Sequence, residues 1–341
     1  MRSDNITGIS DKVLQAIINV NEGTAFAYSE DEITAKSEER YKEIFEKDDL
    51  ISHNLVSGTA TNTLIISTLC PTYGVTFCHE HSHVYADECG GVEFQSGGAK
   101  LHPIIGKNGK FTPAALEEAI GRYFVGEPHH SQPAAVTIAN STEAGTVYKP
   151  DEIGALSEIA KKHNLKFHMD GARFANALTT IGCSPAEMTW KVGIDALSFG
   201  TTKNGTMGAE TAIYFNQNDG DGFIYRSMRS GHLLSKSRFI AAQILAYLED
   251  EHWLDNAKHA NKMAKNLASA IAKSMGIEFQ YPQQTNVMFV KMVPELHNAF
   301  EEAGINYFSS NEGDKVGARF VTAFNTQQDE IDRMIDVISR F

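Results

Sequence analysis

Lys203 closes the short apolar run 194–200 (IDALSFG) and stands among small polar residues, Thr201, Thr202, Asn204 and Gly205. An amine held in such surroundings can form a Schiff base with a carbonyl. Upstream, the apolar run 165–169 gives way to Asp170-Gly171-Ala172-Arg173, which puts a carboxylate and a guanidinium on one tight turn. An ionised carboxylate at the end of a buried strand needs a cationic or hydrogen-bonding partner. A strand-end Lys and a strand-end Asp on neighbouring strands suit pyridoxal 5′-phosphate: the Lys holds the aldehyde as an imine, and the Asp keeps the ring nitrogen protonated so that the ring can draw electrons. Taken singly, an Asp-Gly is a turn and a Lys is a surface charge. Their combination carries the chemistry.

Other stretches offer supporting chemistry. The run 57–62 (SGTATN) opens a helical segment expected over 62–69, and free backbone N–H groups there could cradle a phosphate with help from the helix dipole; a plain N-cap is the alternative. In 77–88 (FCHEHSHVYADE), His79, His81 and His83 alternate, so on a strand all three would share a face. With Cys78, Asp87 or Cys89 nearby, that face could assemble a zinc site, which makes a zinc hydrolase the rival reading. Arg319 interrupts the alternating segment 316–324, where an unpaired charge is costly, so it is expected to face a cleft and an anion. The cluster Arg226, Arg229, Lys236 and Arg238 is by default a solvated face.

The elements that must position these residues are legible in outline. A helical pattern over 151–163 precedes the strand ending at Asp170, which places that carboxylate where open α/β sheets bind ligands. Further helices are expected over 11–19, 33–45 and 113–120, and strands over 134–139 and 213–216. Long helices over 235–275 lead to strands 285–292 and 316–324 and a closing helix 329–338. At 341 residues two domains are expected, a large cofactor-binding one over 1–240 and a smaller C-terminal α/β one over 241–341. The net charge of −13 argues against a nucleic-acid binder. With no apolar stretch near 18 residues and no leader pattern, a cytoplasmic location without membrane partners is expected. Cys70, Cys78, Cys89 and Cys183 form no C-x-x-C pair and read as reduced thiols.

Together, D-G-A-R at 170–173, the downstream Lys203, the early S-G-T-A-T-N and the opening R-S-D-N resemble the threonine aldolases. These are pyridoxal phosphate enzymes grouped with the β-eliminating lyases, and the likeness runs from Arg2 to the region of Arg319. The resemblance implies the α/β fold-type I class of the aspartate aminotransferase-like enzymes: a large domain on a mostly parallel sheet and a smaller C-terminal domain. It also implies retro-aldol cleavage of a small β-hydroxy-α-amino acid to glycine and an aldehyde. β-Elimination and transamination are alternatives that the fold does not separate.

By the same resemblance Gly58 and Thr59 hold the cofactor phosphate and His83 stacks on the cofactor ring. Ser3, Arg173 and Arg319 bind the substrate carboxylate, and Arg229 is the first of the cluster cations to reach a phosphate, in a neighbouring subunit of a homodimer or homotetramer with shared sites. Relatives carry a His where this chain has Glu143, so recognition of the β-hydroxyl departs from the family pattern. His83, Glu143 or a water between them is the candidate base.

Overall fold

A computed structural model describes residues 1–341. Eleven strands lie in two sheets: β1 (Ile51–Leu55), β2 (Gly74–His79), β3 (Lys100–Ile104), β4 (Gln132–Ala139), β5 (Lys166–Gly171), β6 (Ala196–Gly200) and β7 (Glu210–Tyr214) form the larger, in the order β1-β7-β6-β5-β4-β2-β3. β7 pairs antiparallel with both β1 and β6, whereas β6, β5, β4, β2 and β3 run parallel to one another. A parallel sheet must be covered on both faces, and accordingly β2, β6 and β7 are buried along their whole length. One face takes the helix Gly58–Leu69, whose Ala60, Leu64 and Ile65 pack with Ala196, Ala212 and Tyr214. On the other, Tyr41 and Phe45 of the helix Glu32–Phe45 meet Phe199 and Phe215 edge-on at 5.3–6.1 Å between centroids, spacings that favour aromatic pairs beyond their buried area.

The smaller sheet, β8 (Ile277–Phe279), β9 (Val287–Met292), β10 (Phe308–Glu312) and β11 (Lys315–Val321), is antiparallel in the order β10-β11-β9-β8. The helix His252–Ile271 contributes Trp253 and Ala257 to the large core and Met263, Leu267 and Ile271 to the small one. The N-terminal arm also joins the smaller sheet, because the Met1 carbonyl accepts the Val321 N–H at 2.9 Å. All four cysteines are free thiols. No helix is long and apolar enough to cross a membrane.

Two glycines let the ends of β5 and β6 come together. A Cβ on Gly171 would stand 2.6 Å from the Ser198 carbonyl oxygen, and one on Gly200 would stand 2.6 Å from the Ala172 Cα. Neither position tolerates a side chain, and the contact brings Asp170 beside the turn that carries Lys203.

The histidine-rich stretch departs from expectation. β2 stops at His79, the Ser82 N–H closes a turn on the His79 carbonyl at 2.9 Å, and His83 opens the short helix His83–Ala86. The three imidazoles therefore do not share a strand face. No group of three or more His, Cys, Asp or Glu side chains is gathered to hold a metal, so the zinc hydrolase reading loses its geometric premise.

Candidate active site

A cavity of about 250 Å³ opens at the edge of the large sheet where β4, β5 and β6 end, and Lys203, Asp170, His83, Glu143, Arg173 and Gly58 all line it. Asp170 is held by two N–H donors: the Asn62 amide reaches its Oδ2 at 2.8 Å and the Ala172 backbone reaches its Oδ1 at 2.9 Å. The Asn62 amide also donates to Glu88 Oε1 at 2.9 Å, and that oxygen accepts from His83 Nδ1 at 2.8 Å. A continuous polar chain thus joins Asp170 to His83. The bond to Glu88 raises the imidazole pKa above its ordinary value, against the effect of burial. Burial in turn raises Glu88.

Glu143 meets His83 from the other side, its Oε1 accepting the His83 backbone N–H at 2.7 Å. Burial, with the nearby Asp170 carboxylate, pushes Glu143 up to about 7. That is where a general base operates best near neutrality. Burial, reinforced by Arg173, lowers the Lys203 amine, the direction that frees a lysine for attack on a carbonyl.

Ser57 caps the helix Gly58–Leu69 through the Ala60 N–H at 3.3 Å, so the run 57–59 is both an N-cap and the cavity lip. A Cβ added to Gly58 would meet nothing within 4 Å, which leaves room over the helix N-terminus for an anion.

The model of the family described as beta-eliminating lyase matches residues 1–294. The chain belongs to the β-eliminating lyase family. Over 327 residues it is 40% identical to the low specificity L-threonine aldolase of Pseudomonas sp. (strain NCIMB 10558), covering 96% of this chain and 93% of that one. The enzyme of the same name from Pseudomonas aeruginosa is 38% identical over 331 residues, 96% of this chain and 94% of its own. Among solved structures, Leishmania major threonine aldolase superposes with a TM-score of 0.92 at 25% identity, covering 99% of this chain and 98% of that chain.

This β-eliminating lyase family member has the fold-type I architecture that pyridoxal phosphate enzymes use, and its cavity fits the cofactor. Three buried polar atoms of cavity residues, Thr202 Oγ1, Ser141 Oγ and Asn62 Oδ1, have no hydrogen-bond partner within the protein. Unpartnered buried polar groups are costly, and a polar ligand bearing a phosphate and ring substituents gives such groups partners. Lys203 and Asp170 line the same space at the ends of adjacent strands.

A second chamber of about 440 Å³ adjoins the first through Glu143 and is walled by Tyr281, Phe289, Phe308 and Arg319 of the small domain. Burial, with Arg173 nearby, lowers the Arg319 guanidinium, which lies 5.8 Å from the Phe308 ring centre. Arg173 is already engaged. Its Nε and Nη2 donate to Asp4 Oδ2 and Oδ1 at 2.7 and 2.8 Å, and Asn286 of the small domain donates to Asp4 Oδ2 at 3.1 Å. Burial alone would raise Asp4, but the charges and hydrogen bonds of Arg173, with Lys203 and Asn286, hold it below the usual carboxylate range.

The structure gathers Lys203, Asp170, His83, Glu143, Gly58, Thr59 and Arg173 around one cavity and Arg319 around the adjoining one. Ser3 is not among them: its hydroxyl accepts the Asn5 N–H and caps the turn Asp4–Ile6, and the neighbouring Asn5 lines the cavity instead. Arg229 ends the helix Phe223–Arg229 on an exposed face, outside the cavity of its own chain. Glu88 and Glu210 join the candidate site only in the structure, and Asp4, beside Ser3 in the polar N-terminal arm, enters it through Arg173. Glu210 had a signal, since a carboxylate opening the apolar segment ETAIY is as conspicuous as Arg319 in its strand.

Proposed function

We propose that this chain cleaves β-hydroxy-α-amino acids of the L-threonine, L-allo-threonine or phenylserine type to glycine and an aldehyde, with pyridoxal phosphate carried on Lys203. The named activity of the two Pseudomonas relatives supports the reaction class. The observation that carries it is Glu143, a carboxyl pushed up to about 7 that faces the cavity shared by Lys203 and Asp170.

When bound, the cofactor supplies an electron sink for the bond broken at Cα. The chain does the rest. Lys203 Nζ would hold the aldehyde, Asp170 would keep a proton on the ring nitrogen, and the N–H groups of Gly58 and Thr59 with the Thr202 hydroxyl would take the phosphate. Glu88 sets the plane of the His83 ring for stacking. Arg319, with the edge of Arg173 that Asp4 leaves free, receives the substrate carboxylate as a bidentate fork. Glu143, through the oxygen that His83 does not use, accepts the β-hydroxyl proton, a transfer that contributes a factor of about 100 to 10,000. The aromatic wall of the second chamber accommodates the substituent on Cβ.

A homodimer or homotetramer with shared sites is part of this reading. Its support is a set of exposed apolar side chains: Tyr225 is 79% and Met228 59% exposed on the helix that ends in Arg229, and Met207, four residues after Lys203, is 64% exposed. Exposed patches of this kind mark association surfaces. Light scattering of the purified protein gives the assembly size, and a monomer at micromolar concentration refutes it.

Products decide the chemistry. Incubation with L-threonine, L-allo-threonine and L-phenylserine is expected to yield glycine with acetaldehyde or benzaldehyde. Keto acid and ammonia in their place would reassign the site to elimination.

A further inference from the structure

Because β7 runs against its neighbours, its first residue lies at the edge where they end. Glu210 pairs in register with Leu55 of β1 on one side and Gly200 of β6 on the other. Shortly after Leu55 comes the lip Ser57-Gly58-Thr59, and shortly after Gly200 come Thr202 and Lys203, so the Glu210 carboxyl rises between the anion cradle and the Lys203 turn. It is 6% exposed and lines the cavity. Its Oε1 accepts the Thr202 N–H over a long 3.3 Å, and the Thr202 hydroxyl beside it has no partner. An ionised carboxylate here would repel an anion in the cradle, whereas a protonated carboxyl offers an O–H donor.

We propose that Glu210 binds the phosphate end of the cofactor as a neutral carboxylic acid, donating its O–H to a phosphate oxygen next to the Thr202 hydroxyl, so that cofactor affinity depends on pH through this residue. The inference rests on the assignment of the cavity to pyridoxal phosphate with its phosphate at 57–59. Burial pushes Glu210 up to about 7, with Asp170 adding to the rise and Thr202 and Lys203 opposing it. Lys203 and Asp170 are the charged groups that face it. Tyr41 from the helix Glu32–Phe45 and Tyr247 from the helix Arg238–Leu248 also feel its charge, and burial raises both phenols so that they stay neutral.

The test compares pyridoxal phosphate with phosphate-free pyridoxal, each titrated into the full-length chain freed of cofactor, in the native protein and in Glu210→Gln, between pH 6 and 9. Glutamine keeps an N–H donor and cannot ionise. Between pH 7 and 9 the native affinity for pyridoxal phosphate is expected to fall about tenfold or more relative to the variant, by the linkage of one proton. The pyridoxal affinities of the two proteins should run in parallel. A measurement on the native protein alone guards against a misfolded variant: at pH 8 in weak buffer, binding of pyridoxal phosphate should take up close to one more proton than binding of pyridoxal. Equal pH slopes for the two proteins, or equal proton uptake for the two aldehydes, overturns the proposal. An equal effect of Glu210→Gln on both aldehydes also overturns it and assigns the carboxyl to Lys203. Failure of the native chain to bind pyridoxal phosphate at any pH defeats the cavity assignment itself, an outcome distinguishable from the others.

Discussion

Replacing Asp4 with Asn leaves the shape of the N-terminal arm nearly unchanged and removes one charge from a buried pair. Asp4 is 1% exposed, and it receives two N–H donors from Arg173 at 2.7 and 2.8 Å and one from Asn286 at 3.1 Å. Breaking a buried ion pair from one side costs about 3–5 kcal/mol, because the partner charge stays buried without compensation. With an unfolding entropy of about 2.1 cal/mol/K per residue, that loss lowers the melting temperature of a chain this long by roughly 4–7 °C. The native carboxyl titrates below its unfolded value of about 3.9, so its contribution is complete above that pH and is lost as pH falls through the lower folded value. The gap between native protein and variant should therefore be full at pH 7 and narrow toward pH 3 in parallel thermal melts. The same change frees Arg173 to swing, so KM for the amino acid should rise about tenfold, equivalent to roughly 1.4 kcal/mol of binding, with kcat little altered. A variant melting within 1 °C of the native protein at pH 7, or a gap that widens on acidification, refutes the account of this pair.

Lys203→Ala should abolish both turnover and the covalent attachment of cofactor that borohydride fixes in the native enzyme; mass spectrometry finding the adduct at another lysine would displace Lys203. Glu143→Gln should lower kcat by about 100- to 10,000-fold. In the native enzyme kcat/KM should rise with pH through about 7 as Glu143 loses its proton, and an identical pH profile in the variant would take that carboxyl out of the proton transfer. Glu143→His should change the ranking of L-threonine, L-allo-threonine and L-phenylserine, which a three-substrate comparison of kcat/KM reads directly. Arg319→Lys replaces a two-pronged donor with a point charge and should raise KM by about 10- to 100-fold, with an unchanged KM placing the carboxylate elsewhere.

The parts of the site that sequence reasoning reached are those where a local pattern meets a chemical requirement. Asp170 and Lys203 each follow a short apolar run and precede a polar turn, so strand ends and reactive groups coincide in the linear order. The run 57–62 could be read the same way, although its helix begins at Gly58 rather than at residue 62. The histidine stretch misled because alternation over 79–83 looks like a strand, while the turn that ends β2 at His79 breaks the period. Asp4 and Glu88 acquire their roles from partners far along the chain: Arg173 and Asn286 for Asp4, Asn62 for Glu88. The charge of Glu210 stands out in its apolar segment, but its place does not, because β7 runs against β1 and β6 and starts where they finish. In the smaller sheet, β9 alternates from Met288 to Met292 as expected, but β11 ends at Val321 and alternates only across Ala318–Phe320, and the stretch 235–275 is interrupted by left-handed backbone at Asp250 and Glu251.

Asn62 has two amide hydrogens and gives one to each of two acids, leaving its oxygen without a partner. Half a rotation of that carboxamide would turn the oxygen toward two anions, so a single orientation is usable. The floor of the cavity and the support of the His83 ring are therefore registered to each other by one small side chain, with no covalent tie. An aspartate of equal size at 62 would add a third negative charge to the gap and push the two acids apart, releasing the Glu88 support of His83 from its tie to Asp170.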